Sequence, residues 1–350
     1  MALGEPTGRR APTLEDVAKV AGVSRATVSR VVNNTRNVDP ALHSVVWDAV
    51  AATGYVPNRA ARSLVTRRTD VVALVVSEAE NRTADDPFYS RFLGDPFFGR
   101  VLGGALSVLA PLGVHVPLTL VGSAAARRKL ISDLRGGQLD GALVISLQPQ
   151  DPLPRQLAEA KAPAVLFGRP SLPTAIDYVD VDQNAAAKLA AEHLLTRGCK
   201  RIVSVAGSLD MPAGHDRLTA FRAALADHGI ADVPAEEGGF TQEGAEQAMQ
   251  RLLKKHPKLD GVYAASDVMA QGAVHVLREA GRRVPEDVAV VGFDDSSAAS
   301  SCRPPLTTVR QPVEDMTAEM ARMLMFHLEH PAARTTSVVF EPTLVVRQSA

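Results

Sequence analysis

The stretch that decides the architecture is residues 13–33, TLEDVAKVAGVSRATVSRVVN. Thr13 followed three positions later by Asp16 is a capping-box-like start: the hydroxyl caps a backbone N–H, and the acid sits at the positive end of a helix. Leu14, Val17, Ala18 and Ala21 then recur at helical spacing and make one apolar stripe. Gly22 supplies a turn, Val23 plugs the space between two helices, and Ser24 is an N-cap for the second. Val28, Val31 and Val32 face inward, leaving Arg25, Ala26, Ser29, Arg30 and Asn33 pointing out. This is the layout of a helix-turn-helix whose second helix offers its first turn to base edges in a DNA major groove. The other reading is an ordinary helical hairpin with solvated charges.

Working outward, Asp39 can cap a third helix, Pro40 suits its first position, and Gly54 can close it after Val45, Val46, Ala49 and Val50 have faced the core. Trp47, the only tryptophan, is expected to pack rather than make contacts, since a buried aromatic is common in small helical cores. Residues 57–64, PNRAARSL, lie between Pro57 and the basic pair Arg67-Arg68. They are helix-forming but shorter than the ~12–15 residues an isolated helix needs in water. We read them as a hinge that is disordered alone and helical when docked; the alternative is a permanently flexible linker.

The chain has 350 residues, enough for two or more domains, and a formal net charge of only -1. That near-neutrality hides an asymmetry, because residues 1–68 hold ten Lys or Arg against five acids. A basic head on an acidic body suits a polyanionic partner for the head. Cys199 and Cys302 show no metal-like spacing, which fits a reducing cytosol and no disulfide framework. There is no apolar signal-peptide core at the N-terminus, and no stretch approaches the ~18 uninterrupted apolar residues of a membrane span. The expected location is the cytoplasm.

From about Asp70 the texture changes. Short β-branched runs at 71–76, 114–120, 141–145, 164–167, 201–206, 261–265 and 288–291 alternate with amphipathic stretches at 97–109, 184–197, 217–228, 241–254 and 267–280. Continuous apolar strands separated by helices predict parallel sheets covered on both faces. There are too many strands for one modest sheet, so two similar lobes are expected, with a ligand in the cleft beyond the strand ends. No P-loop, G-x-S-x-G elbow or metal-spaced cluster is present, and His327 and His330 are read as surface residues.

With these residues in hand, the chain resembles the LacI–GalR (lactose-repressor/galactose-repressor) family of transcription factors. The signatures are VAKVAGVSRATVSRVVN, GYVPNRAARSL, DGVYAASDVMAQGA, VPEDVAVVGFDD and PPLTTVRQP, in order, and the resemblance covers nearly everything from Thr13 to about Val346. The fold it implies is α/β: an N-terminal all-α helix-turn-helix domain and hinge helix, then a two-lobed periplasmic-binding-protein-like body with parallel sheets. The expected divisions are a tail at 1–12, the DNA-binding domain at 13–56 and the hinge at 57–68. One lobe takes 69–168 plus about 308–330, the other 169–307 plus about 331–350.

The resemblance implies a homodimeric repressor on a pseudo-palindromic operator in double-stranded DNA, controlled by a small molecule, most simply a mono- or oligosaccharide, with no cofactor, metal or catalytic residue. Ser24, Arg25, Ala26, Thr27, Ser29, Arg30 and Asn33 fall on or beside the recognition helix. Arg25 can donate two bonds to guanine, a contact worth ~1–3 kcal/mol of discrimination, and Ala26 offers only its methyl. Thr13, Asn37 and Asn58 are expected at or beside phosphates, and Leu64 where a leucine wedges into the minor groove. The lack of a leucine-heptad tail before Ala350 points to a dimer rather than a tetramer.

Family positions lining the cleft correspond to Phe97, Phe98, Arg169, Arg217, Phe240, Ser266 and Asp294. Arg217 and Asp294 can bond adjacent hydroxyls while aromatic faces cover the apolar side of a pyranose ring. The alternatives are core packing for Phe97 and Phe98, a solvated rim charge for Arg169, and a turn cap for Asp294. Three departures stand out: Ser266 where asparagine is usual, Leu42-His43 in place of a common Thr-Arg pair, and an extended segment at 83–94 near the cleft entrance. Two rivals from other classes are a solute-binding receptor without DNA activity and an α/β enzyme acting on sugars or nucleotides.

Overall fold

The computed structural model describes residues 12–32, 39–56, 68–78, 94–147 and 150–350. They fall into two units, 1–69 and 70–350.

Among the described residues the first unit has three helices: α1 (Leu14–Ala21), α2 (Arg25–Val32) and α3 (Pro40–Thr53). Val17, Ala18, Val28, Val31, Val32, Val46, Ala49 and Val50 make its core, with Leu14, Ala21, Val23 and Tyr55 packed at its margin. Two expectations for α3 fail. Val45 is exposed, and Trp47 is 41% exposed with its ring 6.2 Å from that of His43. Helix α3 is apolar on almost every side, so composition does not mark its inner face; contact with α1 and α2 selects Val46, Ala49 and Val50.

The second unit is built on two six-stranded sheets. In chain order it runs β1 (Val72–Ser77), α4 (Pro96–Leu109), β2 (Leu118–Val121), α5 (Ala124–Arg135), β3 (Gly141–Ser146), α6 (Pro152–Glu159), β4 (Ala164–Phe167), β5 (Asp177–Val181) and α7 (Gln183–Thr196). There follow β6 (Ile202–Ala206), α8 (Pro212–Ala226), β7 (Ala235–Glu237), α9 (Gln242–Lys255), β8 (Gly261–Ala264), α10 (Asp267–Glu279), β9 (Ala289–Asp294) and α11 (Ser297–Ser301). The chain ends with β10 (Thr307–Arg310), α12 (Val313–Glu329), β11 (Ser337–Phe340) and β12 (Thr343–Val345). The sheet orders are β11-β5-β4-β3-β1-β2 and β12-β10-β9-β8-β6-β7, parallel throughout except for the β10–β12 pair.

Alternation along each central strand explains the continuous apolar runs. On β1, Val72, Leu74 and Val76 join a core with Val101 and Ala105 of α4 and Met316, Met320 and Leu324 of α12. Ala73 and Val75 face the other way, toward Leu130 and Leu134 of α5 and Leu153 and Leu157 of α6. In the second lobe, Val203, Val205, Val262 and Val290 meet α9 and α10, while Ile202, Tyr263 and Phe293 share a core with Phe221 and Leu225 of α8. Strands buried on both faces cannot alternate polar with apolar residues.

The lobe boundaries differ from the expected ones. The chain crosses between lobes after β5, after β10 and after β11, because β5 pairs with β4 and β11 in the first sheet while β10 pairs with β9 and β12 in the second. Residues 169–181 and 331–340 therefore belong to the first lobe, and 307–310 to the second. The missed strands are β5, β7, β10, β11 and β12, all of five residues or fewer. DYVDV in β5 and TTVR in β10 owe their places to long-range pairing rather than to an apolar run. The other lapse is His327, read as a surface residue: it is mostly buried, with Nε2 3.2 Å from Asp177 Oδ1.

Candidate functional site

In the helical unit the local chemistry is as the sequence indicates. The Thr13 hydroxyl and the Asp16 carboxylate form a reciprocal capping box: Thr13 N–H and Oγ1 each reach Asp16 Oδ2 at 2.8 Å, and Asp16 N–H donates to Thr13 Oγ1. Gly22 takes the left-handed conformation (φ 66°) that ends α1, a region open to glycine at no steric cost. Ser24 Oγ accepts the Thr27 backbone N–H at 3.1 Å and lies 2.9 Å from Thr27 Oγ1, so both hydroxyls serve the start of α2. Arg25, Ala26 and Arg30 are exposed, while Thr27 and Ser29 are half-buried. Arg25 Nε lies 3.0 Å from Glu15 Oε1 of α1. Asn33, Asn37, Asn58 and Leu64, along with the hinge at 57–67, lie outside the described residues, as does most of the 83–94 segment.

In the second unit, a cavity of about 520 Å³ opens at the C-terminal ends of the strands, between the lobes. That is where parallel α/β sheets place ligands, and its size falls in the ~300–1,000 Å³ range of small-molecule sites. All seven expected residues line it: Phe97, Phe98, Arg169, Arg217, Phe240, Ser266 and Asp294.

Each is positioned by a recognisable local cause. Asp95 caps α4 through the Phe97 N–H (2.9 Å), which sets Phe97 and Phe98 on the first turn. The two rings meet edge-on at 5.2 Å, and Phe97 meets Phe167 in the same way. Phe240 sits at φ 57°, and its ring fills the space a side chain at position 207 would need; Gly207 is the cradle that admits it. Ser266 caps α10 by accepting the Met269 N–H, and this short-range duty fits a serine where a longer amide side chain is usual.

Arg217 is buried and heavily engaged. Its Nε donates to Gln183 Oε1 (3.1 Å), Nη1 to the Ala265 carbonyl (2.6 Å) and Nη2 to Gln311 Oε1 (2.9 Å), while the guanidinium lies 3.5 Å over the Phe293 ring. Nη1 is also 3.9 Å from Asp294 Oδ1. The expectation that Arg217 and Asp294 bond adjacent hydroxyls therefore meets an arginine with few donors to spare. Of its five N–H groups three already have partners, and the remaining two sit on the nitrogens facing Asp294 and Gln311.

Asp294 ends β9 in a conformation rare for a side-chain-bearing residue (φ 103°), and Asp295 follows at φ 53°. Such backbones cost of order 1–3 kcal/mol each and persist only when their surroundings hold them. Here Arg100 Nη1 donates to the Asp294 carbonyl at 2.7 Å, and Arg347 and Arg310 hold the Asp295 carboxylate at 2.6 and 2.7 Å. Burial pushes the Asp294 carboxyl well above its ordinary value against the pull of Arg217, and neighbouring Asp267 adds to the rise. Burial likewise raises Asp267, which accepts from Thr308 Oγ1 (2.6 Å) and the Ser296 N–H (2.7 Å). Asp295 is drawn upward by burial, but its two arginines outweigh this and hold it below the usual range.

Sequence reasoning missed the groups that join the lobes. Arg100 of α4 donates to Asp294 and Gln311 carbonyls and pairs with Glu314 at 2.7 Å. Gln183 and Gln311 stand at two of the crossovers, and both hold Arg217. Arg169 reaches Asp216 of α8 at 2.5 Å, an exposed pair between the two lobes. Gln311 lies inside the PPLTTVRQP motif; nothing in the sequence around Arg100 distinguishes it from a surface charge.

A helix-turn-helix unit followed by a two-lobed body with a ligand-sized cleft defines a DNA-binding regulator that responds to a small molecule. Residues 13–58 match the family model described as bacterial regulatory proteins, lacI family, and 191–350 match that of a periplasmic binding protein-like domain. The chain is 44% identical over 345 residues to the HTH-type transcriptional regulator CelR of Thermobifida fusca, spanning 97% of this chain and 99% of that protein. Among solved structures it is similar to a transcriptional regulator CelR–cellobiose complex (41% identity, TM-score 0.73, 97% and 100% of the two chains). It is also similar to the lac repressor dimer bound to operator and the anti-inducer ONPF (26% identity, TM-score 0.81, 97% and 99%). The chain belongs to the LacI family of bacterial transcriptional regulators. Among the described residues no helix is long and apolar enough to cross a membrane.

Proposed function

We propose that this regulator represses transcription in the cytoplasm by binding a pseudo-palindromic operator as a homodimer, one helix-turn-helix per half-site, and that a neutral gluco-oligosaccharide such as cellobiose controls that binding from the cleft. In this reading Ser24, Arg25, Ala26, Thr27, Ser29, Arg30 and Asn33 meet or flank bases, Thr13, Asn37 and Asn58 meet phosphates, and Leu64 enters the minor groove. Phe97, Phe98, Arg169, Arg217, Phe240, Ser266 and Asp294 hold the sugar, with the aromatic rings against its apolar faces and the polar groups at its hydroxyls.

The observation that carries the reading is the chemistry of the cavity. Among the described residues three arginines line it, and all are engaged within the protein: Arg155 with Glu159, Arg169 with Asp216, and Arg217 with Gln183, Ala265 and Gln311. Asp95, Asp151, Asp180, Asp216 and Asp294 add acidic side chains to the same walls. Such a site suits a hydroxyl-rich neutral ligand better than a phosphate or a carboxylate. The relationship to CelR, one structure of which is a cellobiose complex, supports the choice of probe.

The sugar acts by binding one lobe arrangement better than another, since only unequal affinity shifts an equilibrium. The body is taken to bind its sugar without turning it over. Titration calorimetry with cellobiose, glucose and a cellobiose carboxylate, with chromatography of the recovered sugar, tests both points. Saturable binding of intact cellobiose is expected; tighter binding of the acid, or recovery of glucose, would refute the reading. Duplexes selected from random DNA with and without the sugar test the operator half of it.

A further inference from the structure

We propose that Glu15 is a specificity-determining residue of the DNA-reading surface: it seats the Arg25 guanidinium so that its terminal fork is offered to a guanine. The inference rests on the reading that Arg25 touches bases, and it assigns a role to a residue on the other helix of the motif.

The geometry is simple. Arg25 opens α2, Glu15 lies in the first turn of α1, and Arg25 Nε is 3.0 Å from Glu15 Oε1. A guanidinium has five N–H groups in a fixed plane. A carboxylate on the Nε side leaves the two terminal nitrogens with a parallel pair of donors, the fork that matches guanine O6 and N7. An unpaired arginine of this exposure samples many rotamers and must lose them on binding; the contact with Glu15 restricts them beforehand. The backbone that fixes the pair is itself rigid. The Thr13–Asp16 capping box starts α1, Gly22 sets the turn, and Val17 and Val28 are fully buried between the helices.

The neighbours sharpen the assignment. Ala26 has no polar group to donate, so of the two exposed side chains that open α2 only Arg25 can hydrogen-bond a base edge. Glu15 is not needed to cap its helix, a duty Thr13 and Asp16 already perform. With side chains 68% and 54% exposed, the pair adds little to folding stability. An acid close to DNA also opposes phosphate binding at every sequence. Removing it therefore has a signature that no folding defect produces: overall affinity holds or rises while base discrimination falls.

The test uses the full chain and a randomised duplex library at fixed salt, with wild type, E15Q, E15D and R25M. R25M identifies the base position that Arg25 reads, and duplexes carrying guanine or adenine there are then compared. We expect E15Q to lower the guanine preference by about tenfold, equivalent to about 1.4 kcal/mol, with equal or higher affinity for unrelated duplexes. E15D keeps the charge but draws the carboxylate back by one methylene, and should lose most of the preference without the gain in general affinity. A wild-type base profile in both Glu15 variants overturns the proposal, as does a loss of affinity shared equally by all duplexes. An unchanged profile in R25M overturns the reading of Arg25 itself, and this proposal with it.

Discussion

Arg100 Nη1 donates to the backbone carbonyl of Asp294 at 2.7 Å, although the two residues are 194 positions apart and stand on different lobes. The same guanidinium reaches the Gln311 carbonyl at 3.1 Å, and the Gln311 side chain holds Arg217 at 2.9 Å. A continuous polar circuit thus runs from the cavity floor, through a crossover, to the helix that carries Phe97 and Phe98. On the opposite side of Arg100, Glu314 anchors it to α12.

Because Arg100 ties the lobes and is not itself among the residues that line the cavity, Arg100→Met should separate binding from response. Sugar affinity should stay within about fivefold of wild type, while the sugar-dependent change in operator affinity, usually worth ~1–3 kcal/mol, falls by half or more. Calorimetry and fluorescence anisotropy on the same protein check it; a full response in the variant would exclude Arg100 as a coupling residue.

Arg217→Ala should abolish the sugar response and leave sugar-free operator affinity near wild type. It strands the acceptors on Gln183, Gln311 and Ala265, so a stability loss of about 2–4 kcal/mol is expected from groups left without partners. Urea unfolding measures that loss, and operator titrations with and without cellobiose measure the response.

Gly207→Ala would press a methyl group into the Phe240 ring. The ring must then leave the cradle, and sugar binding should weaken by roughly tenfold, as for loss of an aromatic contact of ~1 kcal/mol or more. Operator affinity without sugar should not change.

Stability should fall as pH rises from the acidic range through neutrality. Asp294 and Asp267 titrate as a pair with both carboxyls raised above the ordinary 3.8, so the folded state holds more protons than the unfolded state across that window. Their contribution is therefore fully present below the ordinary value and lost progressively up to the folded one, at about 1.4 kcal/mol per pH unit for each unmatched proton. Asp294→Asn should flatten this slope and make the protein relatively more stable at pH 8 than at pH 5, as read from urea midpoints.

Trp47 is half-exposed on α3, so Trp47→Phe should cost under about 1 kcal/mol, against the ~3–5 typical of deleting a buried aromatic. Thermal unfolding of the first unit in the full chain checks it.

How much was legible from residues follows the range of the forces involved. The caps at Thr13, Ser24 and Asp39 and the turns at Gly22 and Gly54 act over two to four positions, and each is where the sequence puts it. The apolar strands were legible because burial on both faces leaves an unbroken run. Strands β5 and β10 were not, since DYVDV and TTVR take their places from partners far along the chain.

The seven cleft residues were reached through motifs, which carry identity but not partners. That Arg217 would spend three donors on the protein, or that Arg100 would brace Asp294, depends on which segments the crossovers bring together.

The chain by itself therefore determined the helix-turn-helix, the α/β character of the body and the residue types of the cleft, because capping, turn formation and strand burial are written in neighbouring positions. Only the tertiary structure decided the lobe boundaries, the exposure of Trp47, the saturation of Arg217 and the circuit through Arg100. Those outcomes depend on contacts between residues tens to hundreds of positions apart, and no local pattern encodes them.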